Sequence, residues 1–319
     1  EIHKYKDWKN YLKGQFDKHR KDYKILVTGS ARLDVYRRGG DSLMGRYYHY
    51  RLHPFSLAEF MGKKNDLKPF QEINFDDAGA EASDTLAALI KFGGFPEPLL
   101  KQDERDLRRW HSQRMELLVK EDIRDLENIR DLSALQILVD LLPTKVGSLL
   151  SLNSLREDPS VAHKTVANWM DILERFYYHF RIYPFSHKKI KSLKKEPKMY
   201  LWDWSDITDN EGAKSENIVA SHLLKLCHYL NDANGYKTEL SFLRDIDGRE
   251  VDFLVTESGK PWFAVEVKSS AKDIAKSLNY FDGKLNIPFL YQVVDEKNVD
   301  VKKDKIRMIS REKFLAALI

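Results

Sequence analysis

The sequence has one cysteine, no long apolar run and little excess of charge of one sign. Because Cys227 stands alone among 319 residues, an internal disulfide and a cysteine-based zinc site are excluded. No apolar run approaches the ~20 residues that span a bilayer. No signal-like segment opens the chain either, so we expect a cytoplasmic protein without a membrane partner. A net charge of +4 from 53 basic and 49 acidic residues means that any binding of nucleic acid must come from local clusters.

The hydrophobic and aromatic content is sufficient for packed cores. Hydrophobic residues make up 42% of the chain, and its length exceeds that of one usual domain, so two or three cores are expected. The chain begins at Glu1 and not at Met, in what reads as the end of a strand entering a helix, which predicts that a further segment precedes it. We predict an α/β multidomain protein with boundaries at 1–130, 131–205 and 206–319.

The first part has the pattern of an α/β unit. Helical spacing from Trp8 to Phe16 precedes a short apolar run, 23–28, which predicts a buried strand of a parallel sheet. A second β-rich stretch, 46–52, leads to Ser56, a predicted N-cap for a short helix ending at Phe60. Long helical patterns follow at 104–128 and 132–142.

The middle part has the pattern of a helix-turn-helix with a hairpin behind it. The predicted order is a helix at 149–156, a turn at 158–160, a helix at 163–175 and β-rich runs at 176–185 and 198–202. This order predicts a winged helix.

The winged-helix pattern makes DNA the predicted partner. In such proteins the second helix reads the major groove, and a lysine-rich hairpin loop contacts phosphates. Two alternatives stay open, because a lysine run is often a solvated hairpin tip and because winged helices also dock proteins. The candidate residues are His163, Lys164, Thr165 and Asn168 on the helix and Lys188, Lys189, Lys191, Lys194 and Lys195 in the loop.

The last part has the predicted order αβββαβ, and its second and third strands carry charged residues at alternate positions. Alternation places Glu250 and Asp252 on one strand face, opposite Val251 and Phe253, and Glu266 with Lys268 on one face of the next strand. Antiparallel pairing would bring the two polar faces together. Two carboxylates there could hold magnesium, and the lysine could orient the attacking water. The alternative is a solvated ion-pair ladder across the two strands.

Asp252, followed fourteen positions later by Glu266-Val267-Lys268, resembles the D-x(n)-E-x-K signature of PD-(D/E)XK nucleases. The resemblance implies a restriction-endonuclease-like fold, catalytic roles for Asp252, Glu266 and Lys268, and Mg or Mn held by Asp252 and Glu266. It adds Glu216, on the leading helix, to the catalytic set. From the residues alone, Glu216 is equally an acid that interacts with the helix macrodipole.

The opening of the chain and the segment Leu52-His53-Pro54-Phe55-Ser56 resemble prokaryotic AAA-type ATPases that carry a C-terminal domain of unknown function. The resemblance implies that Glu1 activates water, that Ser30 is a sensor residue and that Arg46 senses phosphate. The alternative for Ser30 is an ordinary strand-to-loop cap. No G-x-x-x-x-G-K-[ST] occurs in the chain, so ATP is expected as a cofactor only of the full-length protein.

These patterns together predict a protein that couples a nucleotide switch to nucleic-acid binding and to a metal-dependent, phosphodiesterase-like site. One alternative keeps the last domain as an inactive clamp for DNA or protein, regulated by the ATPase. Another makes it an interaction scaffold whose carboxylates only form ion pairs. A homo-oligomer is compatible with each of the three.

Overall fold

The computed structural model describes residues 2, 5, 7–29, 45–75, 79–123, 129, 131–186 and 196–319. The helices are α1 (Trp8–His19), α2 (Leu57–Phe60), α3 (Gly79–Phe92), α4 (Pro96–Lys101), α5 (Glu104–Glu116), α6 (Leu132–Leu141), α7 (Leu152–Leu155), α8 (His163–Arg175), α9 (Glu211–Asn234), α10 (Lys276–Leu285) and α11 (Arg311–Ala316). A π-helical turn at Leu117–Ile123 continues α5, and 3-10 turns lie at Leu142–Lys145 and Trp204–Asp206. No helix in these ranges is long and apolar enough to cross a membrane.

The strands of the described residues form one mixed sheet in the order β2-β1-β3-β4-β5-β6-β8-β7. Their bounds are β1 (His179–Pro184), β2 (Lys198–Leu201), β3 (Thr238–Arg244), β4 (Glu250–Glu257), β5 (Lys260–Lys268), β6 (Phe289–Val294), β7 (Asp300–Lys303) and β8 (Ile306–Ser310). β3, β4 and β5 pair antiparallel, whereas β6 lies parallel to β5 and to β8. The predicted antiparallel pairing of the two charged strands is therefore confirmed.

The β1–β2 hairpin joins the same sheet, because Tyr183 and Pro184 of β1 pair in parallel with Ser241 and Phe242 of β3. The predicted boundary between the second and third parts thus falls between strands of one continuous sheet. This arrangement sets the hairpin beside the strands that carry the charged residues.

Helices cover both faces of the central strands. On one face α9 packs on β3, β4 and β5, where Leu223 and Phe253 belong to the main apolar core. On the other face α10 contributes Leu278 and Phe281 to a smaller core with Leu254 of β4. Ionisable side chains on these central strands are therefore shielded from water unless they lie near a strand end.

The helical middle part contacts strand β2 of the hairpin that follows it in the sequence. Leu149 forms an isolated antiparallel bridge to Lys198 of β2, between α6 and the one-turn helix α7. α8 buries Val166, Trp169 and Met170 against the core because its apolar residues recur at helical spacing. The predicted helix at 149–156 is shortened to Leu152–Leu155, since the backbone at Leu149 bridges to β2 instead.

Two predicted strands near the start of the chain are wrong. Residues 23–28 and 46–52 have no regular secondary structure, and Leu26 and Leu52 are 89% and 97% exposed. Strand propensity needs a neighbouring strand to accept backbone hydrogen bonds, and no described strand pairs with either segment. The order αβββαβ is present from α9 to β6, but β7 and β8 extend it. The exposed, lysine-containing edge strand β7 lacks the apolar pattern that identifies a strand.

Residues 51–59 dock along one face of α9. Ser56 caps α2 in a capping box with Glu59, which confirms the predicted N-cap. The guanidinium of Arg51 donates to both carboxylate oxygens of Asp232, at 3.0 and 2.6 Å. Lys225 Nζ donates to the Pro54 carbonyl at 2.8 Å. Residues 51–59 are thereby fixed to the helix that carries Glu216 near its other end.

Candidate functional site: a carboxylate cluster around a buried lysine

Three structural elements bring the predicted catalytic side chains together. Glu216 lies on the second turn of α9, whose start is fixed because the Asn210 side chain accepts a hydrogen bond from the Ala213 amide at 2.9 Å. Asp252 lies on β4, and Glu266 on β5 is 5% exposed. The Glu266 carboxylate accepts a weak hydrogen bond from the Asp252 amide at 3.4 Å, so these two residues are direct neighbours.

A β-bulge aims Asp252 at α9. Ser241 pairs with Leu254 and Leu243 pairs with Val251, which leaves Asp252 and Phe253 together opposite one residue of β3. Bulges re-aim side chains in this way. The predicted placement of Phe253 opposite Asp252 is therefore wrong.

The contact of the Phe253 ring with Tyr200 shows on which face of the sheet Phe253 lies. Its ring packs on Tyr200 at 5.8 Å, and the Tyr200 hydroxyl donates to Glu216 at 2.6 Å. Phe253 thus lies on the same side of the sheet as Glu216 and Lys198, which Asp252 also contacts. Strict alternation fails here because the bulge inserts one extra residue into β4.

The centre of the cluster is the ammonium group of Lys198, from β2. Its Nζ lies 2.6 Å from Glu250 Oε1, 3.1 Å from Glu216 Oε1 and 3.5 Å from Asp252 Oδ1. The Lys198 side chain is 3% exposed, so this charge has been taken almost fully out of water. A buried ammonium is stable only when carboxylates surround it, and three of them do.

Further oxygen atoms of the cluster also have partners. Asp252 Oδ2 accepts a hydrogen bond from the Val267 amide at 2.9 Å, and Glu266 Oε1 lies 2.7 Å from Lys268 Nζ. Gly147, with a φ of +74°, abuts Glu216 so closely that a Cβ built there would lie 3.2 Å from Glu216 Oε2. The cluster is therefore closed by protein on the side of the helical middle part.

Burial and mutual repulsion shift the pKa values of two of these carboxyl groups. Burial, and then the charge of Asp252, raise the pKa of Glu216 to about 7 and the pKa of Glu266 to about 7. Burial opposes the charge of Lys198, but Glu216, Asp252 and Glu250 together outweigh it and raise the Lys198 pKa above the usual value. The ammonium stays charged at neutral pH, so it remains the counter-ion of the cluster.

The raised carboxyl pKa values predict a pH-dependent stability. The folded protein retains protons on Glu216 and Glu266 up to about pH 7, whereas the unfolded chain releases them near 4.5. Their stabilising contribution is complete below about pH 4.5 and is lost as the pH rises through about 7. We expect the melting temperature, followed by circular dichroism, to fall less steeply across this interval in Glu216→Gln than in the wild type. Equal slopes would contradict this, and Glu239→Gln, an exposed change on β3, should keep the wild-type slope.

Magnesium was expected between Asp252 and Glu266, and the geometry does not fit it. The oxygen atoms that would bind the cation already face Lys198, Lys268 or backbone amides. Among the described residues, no group of three or more His, Cys, Asp or Glu side chains is arranged to hold a metal ion. The Lys198 ammonium lies where Glu216, Glu250 and Asp252 converge, and no hydrolytic step follows from this arrangement.

The other predicted site residues are spread over the chain. Arg46 forms a surface ion pair with Asp17 at 3.1 Å, and Glu1 and Ser30 lie outside the described residues. On α8, Lys164 is exposed. The helix positions His163, Thr165 and Asn168 lie on the same outer side, exposed or half-buried, while Lys188, Lys189, Lys191, Lys194 and Lys195 fall outside the described part.

The sequence pattern missed the residues that complete the site. Lys198 and Tyr200 alternate on β2, and every residue of that strand is buried. A lysine inside an otherwise buried strand was the available signal, because a buried ammonium needs an acidic partner. Its acidic partners include Glu216, 18 positions away, and Asp252, 54 positions away, and no local pattern reveals these contacts.

Comparison with known families divides the chain into three stretches. Residues 1–61 match the AAA domain family. Residues 83–205 and 211–314 match two families that are described only as domains of unknown function, DUF8612 and DUF4143. The first 61 residues are therefore similar to an AAA domain, and the two stretches that follow are similar to families without an assigned function.

Three relatives are similar to most of the chain. Two are uncharacterized proteins of Methanocaldococcus jannaschii, MJ1544 and MJ1637, each 25% identical; the matches cover 82% and 87% of this chain and 58% and 63% of the relatives. The third is an uncharacterized protein of Haemophilus influenzae, 21% identical, with 86% of this chain and 68% of the relative covered. The chain thus spans less than two thirds of the length of the two archaeal relatives. No solved structure matches it significantly.

Proposed function

We propose that this chain is part of an AAA-type ATP-binding protein whose C-terminal portion is a non-catalytic DNA-binding module with the fold of a PD-(D/E)XK nuclease. The observation that carries the proposal is the Lys198 ammonium, which neutralises the nuclease-like carboxylate cluster from within. Because the Lys198 ammonium already neutralises these carboxylates, the cluster offers no position for a catalytic metal ion.

The nuclease-like fold is supported by the order of elements and by the convergence of side chains. α9, β3, β4, β5, α10 and β6 follow one another as in the common core of that superfamily, with β6 parallel to β5. Glu216, Asp252, Glu266 and Lys268 meet at one end of the central strands. Convergence of these residue types supports descent from a nuclease-like site and leaves its present activity to experiment.

DNA binding is supported by the arrangement of the middle part. α6, the bridge at Leu149, α7, α8 and the β1–β2 hairpin follow the order of a winged helix. The apolar side of α8 is buried, so Lys164 and Asn168 lie on its free, exposed side. Such a surface suits contact with phosphates and base edges, and the predicted loop lysines would add to it.

Coupling to ATP is supported by the docking of residues 51–59 on α9. This segment lies within the stretch that matches the AAA domain, and its Arg51 and Pro54 are bonded to the helix that carries Glu216. A nucleotide-dependent movement of the AAA part would therefore act on α9 directly. ATP itself would bind only in the full-length protein, with Arg46 as a phosphate-sensing candidate together with Glu1 and Ser30.

A second candidate function is a metal-dependent nuclease. It is favoured by Lys268, whose side chain remains 47% exposed beside Glu266, where substrate could reach it. In this alternative Asp252 and Glu266 would bind Mg or Mn, and Glu216 would assist.

Plasmid nicking in MgCl2 or MnCl2 distinguishes the two functions. We expect wild type, Asp252→Ala and Lys268→Ala to leave supercoiled DNA equally intact, because the cluster has no free cation position. Nicking by the wild type that is lost in Asp252→Ala, and kept in the surface control Glu239→Ala, would contradict the non-catalytic assignment and establish the second candidate.

Binding to duplex DNA tests the winged-helix surface separately. We expect Lys164→Ala to weaken binding and to reduce the slope of log affinity against log salt by about 1, because one phosphate contact is lost. Lys260→Ala, a lysine change at the exposed β4–β5 turn, serves as the matched control and should leave the slope unchanged. Equal slopes for wild type and Lys164→Ala would exclude α8 as the DNA contact.

A further inference from the structure

We propose that Lys198 is an internal substitute for a divalent cation, and that Glu216, Glu250 and Asp252, which form no metal site in their present positions, move together to bind a divalent cation when its ammonium is removed. The inference rests on the proposed function, because it concerns the same nuclease-like cluster. It goes further by naming the residue that excludes metal and the class of ligand that this residue replaces.

The arrangement of oxygen atoms around Lys198 Nζ resembles the ligand shell of a metal ion more than an ordinary ion pair. Three carboxylate oxygens from α9 and β4 are directed at one point, at 2.6, 3.1 and 3.5 Å. An ion pair on a protein surface usually involves one carboxylate and remains wet, whereas Lys198 is 3% exposed. Several converging oxygens around one buried cation are what a hard divalent ion requires.

The same oxygens cannot serve the ammonium and a metal together. A divalent ion bound to Asp252 Oδ1 or Glu216 Oε1 would lie within a few ångströms of Nζ, where two positive charges in a largely dry site repel strongly. Metal binding in the wild type therefore requires Lys198 to leave. A neutral residue of similar length removes this barrier and leaves the three carboxylates without the ammonium that they share, with Arg244 as a remaining partner of Glu250.

The lysine and the carboxylates come from different parts of the chain. Lys198 begins β2, where its backbone pairs with Ile182 and bridges to Leu149 of the helical middle part. The carboxylates belong to α9 and to β4. Exclusion of a metal ion by Lys198 therefore requires the β1–β2 hairpin to remain packed beside β3.

The contacts of Glu250 make a charge-balanced test possible. Glu250 is the nearest partner of Lys198 and also pairs with Arg244 at 2.5 Å, at the edge of the cluster. Replacing Lys198 by methionine and Glu250 by glutamine together removes one positive and one negative charge. Glu216, Asp252 and Glu266 then remain for a cation.

Binding of Mn²⁺ alone to the full chain tests the inference, read from the loss of the free-ion signal in electron paramagnetic resonance. We expect no saturable, Asp252-dependent site in the wild type and one such site in Lys198→Met, with an affinity at least about tenfold above any residual Mn²⁺ binding by the wild type. Lys198→Met/Asp252→Asn should lose that site again. Asp252-dependent binding of equal affinity in wild type and Lys198→Met would overturn the inference.

Folding is checked by the melting temperature with and without Mn²⁺. Mn²⁺ should raise the melting temperature of Lys198→Met and leave that of the wild type unchanged, because only the variant binds it in the folded state. If Lys198→Met does not fold, Lys198→Met/Glu250→Gln takes its place with the same expected gain. If neither variant folds, Mn²⁺ binding is compared between the wild type and Asp252→Asn. A wild-type site that Asp252→Asn loses overturns the inference, and the absence of such a site is the expected result.

The outcomes for this inference and for the proposed function are separate. Metal-dependent nicking or failure of DNA binding by the wild type contradicts the proposed function. Equal Mn²⁺ affinity in wild type and Lys198→Met contradicts the exclusion of metal by Lys198, whatever the DNA assays give.

Discussion

Replacing Lys198 by methionine is expected to lower the free energy of unfolding by about 3 kcal/mol, the lower end of the range for breaking a buried ion pair. The loss arises because Glu250 and Asp252 would lose the ammonium that they share, and because Glu216, whose pKa of about 7 is held down by Lys198, would have to take up a proton. The lower end applies because the three carboxylate side chains retain 15–22% exposure, which lets water screen part of their repulsion. Urea denaturation at neutral pH, without divalent ions, measures this change.

The control for Lys198→Met is Lys260→Met, at an exposed position on the same sheet. Its unfolding free energy should stay within about 0.5 kcal/mol of the wild type, as for most surface substitutions. A similarly small effect for Lys198→Met would mean that the ammonium is not the counter-ion of the three carboxylates.

Replacing Trp204 by alanine is expected to lower the free energy of unfolding by about 3–5 kcal/mol, through loss of a large buried ring and the cavity left behind. The indole is 1% exposed, and its Nε1 donates to the Leu89 carbonyl at 2.6 Å. It also lies against Gly94, where a built Cβ would come within 2.6 Å of the ring. The ring thus joins α3 and the turn after it to α9, where the His222 ring lies 6.0 Å away. We therefore expect the whole described core to lose stability in chemical denaturation.

Two further variants calibrate the effect at Trp204. Trp204→Phe keeps most of the ring volume and should cost less than Trp204→Ala. Tyr229→Ala removes a ring on α9 that is 46% exposed and should change stability by no more than about 0.5 kcal/mol. A loss below about 1 kcal/mol in Trp204→Ala would contradict the packing described here, since it is far under the usual cost of a buried tryptophan.

Local patterns were sufficient to predict the part of the fold around β4 and β5. Alternation of charged and apolar residues identified both strands, and Ser258-Gly259 marked the turn between them, where both residues have positive φ. This is why the neighbouring positions of Asp252 and Glu266 could be anticipated. Lys268 follows from the same alternation, two residues beyond Glu266 on β5.

The remainder of the site depends on contacts distant in sequence. Lys198 reaches the cluster only because β1 pairs in parallel with β3, and no local pattern specifies that pairing. The bulge at Asp252 depends on how β3 fits against β4, so alternation alone misplaced Phe253. The segment 23–28 has the composition of a strand but no described partner, and propensity alone does not make a strand.

The central claim is that an ammonium group takes the cation position of a nuclease-like site. The most direct test is an anomalous difference map, recorded at the manganese edge, from crystals of the wild-type chain grown with MnCl2. The prediction is no peak in the cluster, with Lys198 Nζ within 3.5 Å of Glu216, Glu250 and Asp252. A strong peak between Asp252 and Glu266, with the lysine displaced from the carboxylates, would contradict it.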